Sequence, residues 1–145
     1  RTVEERGILQ ALEGLEISFV AYSPLGRGFL SGQIRTIEDL PANDFRRSIP
    51  RFQEAYFHKN IELVAAIEAM AADKNITATQ LGLAWMMNKG IIPIPGTKRR
   101  KYLDQNIAAA AIHLNESDVS KLESIIPFGT GTGSAYDEFS MGLID

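Results

Sequence analysis

Cysteine is absent, so no disulfide staples this chain and no thiolate serves as nucleophile or metal ligand; a reducing, cytoplasmic setting is the expectation that follows. Histidine is scarce. Only His58 and His113 are present, and neither falls into a Ser-His-Asp, metal-ligand or paired-carboxylate pattern, so no metal is expected. No apolar run approaches the length that spans a bilayer, the first residues show no signal-peptide pattern, and low-complexity tracts are missing. An excess of positive charge is missing too. With 15 Lys and Arg against 18 Asp and Glu, the formal charge is −3 and the isoelectric point about 5.4, which argues against nucleic acid or an anionic membrane as partner. Arg1 stands where a methionine would begin an intact product, so a processed, truncated or partly supplied chain is expected.

What remains is an ordinary globular composition. Of 145 residues, 45% are hydrophobic and 23% charged, enough for one region with its own core. Against the acidic background one stretch stands out, residues 91–106, IIPIPGTKRRKYLDQN. Ile91, Ile92 and Ile94 read as a buried strand, although Pro93 and Pro95 suit a central strand poorly. Gly96 supplies a turn, after which Tyr102, Leu103, Ile107 and Ala110 recur at helical spacing to about residue 111. The four bases Lys98 to Lys101 therefore sit at a helix N-terminus, where the macrodipole and unpaired N–H groups already carry positive charge. Such a run reads either as solvated surface or as an anion site, and the strand–turn–helix setting favours the anion.

In chain order, residues 3–15 read as a helix, with Thr2 and Glu5 as a capping box and Ile8, Leu9 and Leu12 as the apolar stripe. Residues 17–22, ISFVAY, form a continuous apolar run expected of a strand buried on both faces of a parallel sheet. Ser23-Pro24-Leu25-Gly26-Arg27-Gly28 follows at its C-terminal end, the end where parallel α/β folds bind ligands. Residues 29–59 show no sustained period and read as a long loop or lid, with Phe45, Phe52, Tyr56 and Phe57 as apolar anchors and Arg46, Arg47 and Arg51 as surface charges. Asn60 reads as the N-cap of a helix reaching Lys74, Thr77 and Gln80 as a capping box for a helix closed by Gly90, and Asn115 as the cap of a helix from 116 to about 126. Residues 128–145 form a Gly-rich tail expected to be mobile unless something orders it. This is an α/β pattern with too few strands: two parallel strands cannot cover one another, so a piece of a larger sheet or barrel is expected.

AYSPLGRGFLSG, PRF in the long loop, TATQLGLAW, IPIPGTKRRKYLDQN and ESDVSKLESI, taken together and in this order, resemble the C-terminal part of the aldo-keto reductases. The resemblance runs to about Pro127. It implies an incomplete (β/α)8 TIM barrel in which residues 17–22 and 91–94 are the seventh and eighth strands, with the N-terminal part of the barrel outside this chain. It implies an oxidoreductase using NADP to act on a small-molecule carbonyl substrate, an aldehyde or ketone. Residue by residue, Tyr22 matches the ring that stacks on the nicotinamide. Ser23, Pro24, Leu25, Gly26 and Arg27 match the loop around the pyrophosphate. Gly96 and Thr97 match the turn under the adenosine ribose, Lys98 and Arg99 the 2′-phosphate positions, and Gln105 and Asn106 the pair at the adenine. Tyr102 stands where many relatives carry arginine, and Arg100 and Lys101 read as surface charges. The family's catalytic tyrosine, lysine, aspartate and histidine have no match here, and His58 and His113 do not replace the histidine. A regulatory subunit resembling the potassium-channel β subunits, or an inactive truncated fragment, is the alternative.

From the sequence alone, the 145-residue polypeptide by itself should not reduce carbonyls, and its uncovered strand edges should make it associate, as a homo-oligomer or less regularly. An aldehyde-reduction assay with NADPH beside analytical ultracentrifugation checks both; a monomer with turnover above background contradicts them.

Overall fold

In a computed structural model of the chain, which describes residues 1–134, 136–137 and 141–142, two strands and six α-helices form. They are α1 (Thr2–Glu5), α2 (Ile8–Gly14), β1 (Val20–Tyr22), α3 (Glu54–Asp73), α4 (Ala78–Asn88), β2 (Ile92–Ile94), α5 (Arg100–Ala108) and α6 (Glu116–Ile125). β1 and β2 pair in parallel, Val20 opposite Ile92 and Tyr22 opposite Ile94. Ile92 donates its N–H to Phe19 O at 2.9 Å. Adjacent residues of a strand point their N–H groups to opposite sides, so the donor that Pro93 lacks would have faced away from β1. That is why a proline is tolerated in this strand.

The helices form because their ends are signalled locally. Thr77 and Gln80 make the expected capping box at α4, with Gln80 N donating to Thr77 Oγ1 at 3.2 Å, and Asn115 makes one with Asp118 at α6. The main core lies where α3, α4 and α6 meet: Ile67, Met70, Leu81, Trp85, Leu114 and Leu122 are buried together, Leu81 fully. The last turn of α5 tightens into a 3₁₀ turn at Ala109–Ala111, so the α-helix ends earlier than its apolar spacing suggests. Among the described residues no helix is long and apolar enough to cross a membrane.

Residues 29–59 depart from the expected structureless loop. Three short 3₁₀ turns, Ile37–Asp39, Phe45–Ser48 and Pro50–Phe52, fold onto α3 and bury Phe29, Ile34, Leu40, Ile49, Phe52 and Phe57 in a second core. Phe29 stacks on Phe52 with ring centroids 4.3 Å apart. α3 begins at Glu54, six residues before the expected cap at Asn60, because burial of Phe57 extends the helix backwards. Of the four expected aromatic anchors, Phe45 and Tyr56 are exposed instead. Arg46 and Arg47 are not idle surface charges. Arg47 donates to the carbonyls of Ile37, Leu40 and Pro41, closing one turn, while Arg46 forms a paired bridge to Asp44 and a 3.0 Å bond to Arg27 O.

The N-terminal region differs as well. Gly7 adopts a left-handed φ of 68° and splits the expected helix over 3–15 into α1 and α2, and the expected Thr2–Glu5 box does not form: Arg1 takes the N-cap position with no side-chain cap. The strand after it is shorter than the apolar run, three residues instead of six, and its outward face is open: Ile17, Val20, Tyr22, Ile92 and Ile94 are all about half exposed or more. Two-sided burial needs a layer on each face, and the described residues provide helices on one.

Four charges join the N-terminus to the helical core. Glu4 accepts from Arg1 and Lys89, Glu123 pairs with the same two cations, and Trp85 Nε1 donates to Glu123 at 3.3 Å. Burial alone would raise both carboxyls, but the hydrogen bonds and charges of Lys89 and Arg1 outweigh it and hold both below the ordinary glutamate range. A depressed folded-state value means the stabilisation is complete above pH 4.5 and is lost as pH falls through the folded values. Lys89→Met should therefore cost about 1–3 kcal/mol at pH 7, and the cost should shrink below pH 4.5. Urea midpoints of parent and variant across that range check it.

Candidate functional site

Beyond Tyr22 the chain turns through backbone space that side chains avoid. Ser23, Gly26, Arg27 and Gly28 have φ of 48°, 59°, 56° and 105°, and two of these four are not glycine. The turn is held by Gly26 N donating to Ser23 O at 3.1 Å, by Gly28 N to Leu25 O at 3.1 Å, and from outside by the Arg46 bond to Arg27 O. Asp44 keeps Arg46 aimed. Hydrogen bonds from the Arg46 side chain hold the Asp44 carboxyl at about 2, so the clamp stays charged through the physiological range. Strained positions held this firmly are found where a ligand dictates the backbone path.

The second wall comes from β2. Gly96 and Thr97 turn the chain into α5, whose N-cap, Arg99, makes no side-chain capping bond; a guanidinium has no acceptor to offer the first-turn N–H groups. Lys98, Arg99, Arg100 and Lys101 are exposed and form no ion pair among the described residues. The helix end and its bases thus concentrate positive potential with no carboxylate paired to them among the described residues.

Between the walls lies a pocket of about 920 Å³. Ser23, Pro24, Leu25 and Arg27 line one side, Gly96, Thr97, Lys98 and Arg99 the other, and Gln105 and Asn106 reach it from α5. Gly26 shapes the turn without lining the pocket. The cavity also draws on residues not assigned to it from the sequence, including Lys101, which the resemblance left as a surface charge. Lys101 and Tyr102 face it, as do Thr77, Ala78 and Thr79 at the start of α4. Arg35 and Glu68, joined by two hydrogen bonds of 2.7 and 2.8 Å, close its far end. The α4 contribution had a signal in TATQ, since a capped helix start beside a strand end is a place for polar groups. The Arg35–Glu68 pair had none, because its members come from separate elements.

Tyr22 lies outside the pocket, on the open sheet face at the end of β1, and 62% of it is exposed. Its hydroxyl meets that of Tyr136, and this hydrogen bond, together with burial, pushes the Tyr22 phenol upward. Arg27 rests over the Tyr136 ring at 4.5 Å. Tyr136 of the tail is therefore held and not free, whereas residues 135, 138–140 and 143–145 of the tail lie outside the described residues. Its main anchor is Asn60, which sits within α3 instead of capping it: Nδ2 donates to Arg51 O and Thr132 O, and Oδ1 accepts from Thr132 N at 3.2 Å. Gly133 follows so close to Arg51 that a Cβ would stand 2.7 Å from Arg51 N. Arg51, expected as a surface charge, is correspondingly half-buried, and that burial lowers its guanidinium.

The site can grip an elongated anion. It offers unpaired bases, an uncapped helix end and strained backbone amides, but no group of three or more metal-ligating side chains among the described residues.

The family model of the "Aldo/keto reductase family" matches residues 1–127. "Aldo-keto reductase yakc [NADP(+)]" of Schizosaccharomyces pombe is 43% identical over 134 residues, 91% of this chain and 39% of the relative. "Aldo-keto reductase str7" of Strobilurus tenacellus is 42% identical over 95% of this chain and 42% of the relative. The chain thus spans about two fifths of the length of these curated relatives. Among solved structures, a glycerol dehydrogenase of Gluconobacter oxydans superposes with a TM-score of 0.80 at 21% identity, covering 92% of this chain and 41% of that one. Its fold is therefore shared, and the two strands with their helices are a partial (β/α)8 barrel. With the family model matching most of its length and these relatives aligning over nine tenths of it, the chain belongs to the aldo/keto reductase family.

Proposed function

We propose that this chain supplies the NADP(H) site of an oxidoreductase acting on small aldehydes or ketones. The observation that carries the reading is the meeting of Lys98, Arg99 and Lys101 and an uncapped helix end with a strained, glycine-containing turn in one pocket. A dinucleotide with an added phosphate needs cations at one end and close-approaching backbone near its middle, and the residues present fit both demands. The name of the fission-yeast relative carries NADP(+), which supports the same choice.

In this reading Lys98 and Arg99 hold the 2′-phosphate, and Lys101 adds a third charge nearby. Gly96 and Thr97 lie under the ribose, and Gln105 and Asn106 meet the adenine. The pyrophosphate runs along Ser23, Pro24, Leu25, Gly26 and Arg27. Tyr22, exposed at the strand end, offers its ring to the nicotinamide and fixes which face is presented. The cofactor supplies the hydride; these side chains bind and orient it.

Changing Lys98 to Met and Arg99 to Gln together should weaken NADPH by about 1.5–3 kcal/mol per lost contact and leave NADH nearly unchanged. A fluorescence titration with each cofactor checks this, and equal weakening of both contradicts the phosphate assignment. In the complete enzyme, with the rest of the barrel present, Tyr22→Ala should slow hydride transfer in a stopped-flow experiment while Tyr22→Phe stays near the parent, because the ring and not the hydroxyl is used. An unchanged Tyr22→Ala rate would leave Tyr22 a barrel-facing apolar residue only.

A further inference from the structure

The two walls of the pocket come from opposite ends of the crossover, yet both are bonded to the same helical turn. Thr79, in the first turn of α4, donates its hydroxyl to Leu30 O at 2.7 Å, at the end of the turn that follows β1. Gln80, the next residue, donates Nε2 to Gln105 O at 3.3 Å, on α5. The Gln80 oxygen is already committed, accepting from Thr77 N at 3.0 Å and Thr77 Oγ1 at 3.2 Å in the capping box. Glutamate would serve that box as well as glutamine does, but it has no N–H to spare for α5. Leu30 is fastened a second time. Its side chain packs over Gly82, one turn along α4, so closely that a Cβ there would stand 3.2 Å from Leu30 Cδ1.

We propose that Thr79 and Gln80 are positioning residues that set the spacing between the pyrophosphate turn and the adenosine helix, and thereby the affinity for a ligand that spans both. The inference rests on the pocket being the dinucleotide site. Thr79 governs the turn through Leu30, and Gln80 governs α5 through Gln105. A ligand confined to the α5 side therefore senses Gln80 and is indifferent to Thr79.

The experiment titrates the protein with NADPH, which spans both walls, and with adenosine 2′,5′-bisphosphate, which engages the α5 wall. Thr79→Val should weaken NADPH about tenfold and the bisphosphate less than about twofold, in line with the loss of one partly buried hydrogen bond. Thr79→Ser, which restores the hydroxyl, should return NADPH to the parent value. Gln80→Glu should weaken both ligands while thermal denaturation stays that of the parent, since the cap is kept. Parent-like NADPH binding by Thr79→Val overturns the proposal, as does equal weakening of both ligands by it with a lowered melting temperature, which marks a merely structural role. A parent protein that binds neither ligand overturns the dinucleotide reading and the proposal with it.

Discussion

Parallel pairing of β1 with β2 makes whatever follows each strand emerge at the same edge. Everything about the site descends from that constraint. The chain must travel the full length of the sheet and back between the strands, and α3 and α4 make the journey, so the segments after Tyr22 and after Ile94 meet although a long stretch of sequence separates them. Each segment is poor in regular hydrogen bonds on its own. The turn after β1 is steadied by Arg46 and Thr79, and α5 is tied at Gln105, past its midpoint, by Gln80, all three from elements inside the crossover. The connection that the parallel pairing requires is therefore also the scaffold of the pocket.

Charge is distributed with the same economy. Most cations in contact with the packed body have carboxylate partners: Arg1, Lys89, Arg35, Arg46 and Lys74 each pair within 3.3 Å. The bases at the start of α5 do not among the described residues. In an acidic chain of formal charge −3, a like-charged cluster at the positive end of a helix is unfavourable by itself and becomes favourable when an anion arrives. The contrast between paired and unpaired cations sets the pocket apart more sharply than the number of bases does.

How much of this was legible in the sequence follows from the range of each interaction. The boxes at Thr77–Gln80 and Asn115–Asp118 could be read because both partners lie within one turn, and the bases before Tyr102 could be placed because Gly96 fixes where the helix begins. Residues 29–59 could not be read, because their order comes from aromatic rings packing on α3 and from arginines capping distant carbonyls, neither of which leaves a periodic trace. The Thr2–Glu5 box shows the opposite error. Its local pattern is sound, but Gly7 ends the helix after one turn and Arg1, at the cap position, is drawn instead to Glu4 and Glu123. At the site, ten of the lining residues were reachable from contiguous motifs, whereas Arg35 and Glu68 belong to it through tertiary contact alone.

Asn60 has a consequence for chain entropy. Its side chain joins residues 72 apart in sequence, and closing so long a loop from a free chain would be costly, but that cost grows only with the logarithm of loop length. Here α3 and the core have already brought the two regions near each other, so the tail forfeits only the freedom of its own few residues. An amide in mid-helix, unfavourable by intrinsic propensity, thus acts as a low-cost tether whose strength depends on how rigidly the helix aims it, and hardly at all on how much chain lies between.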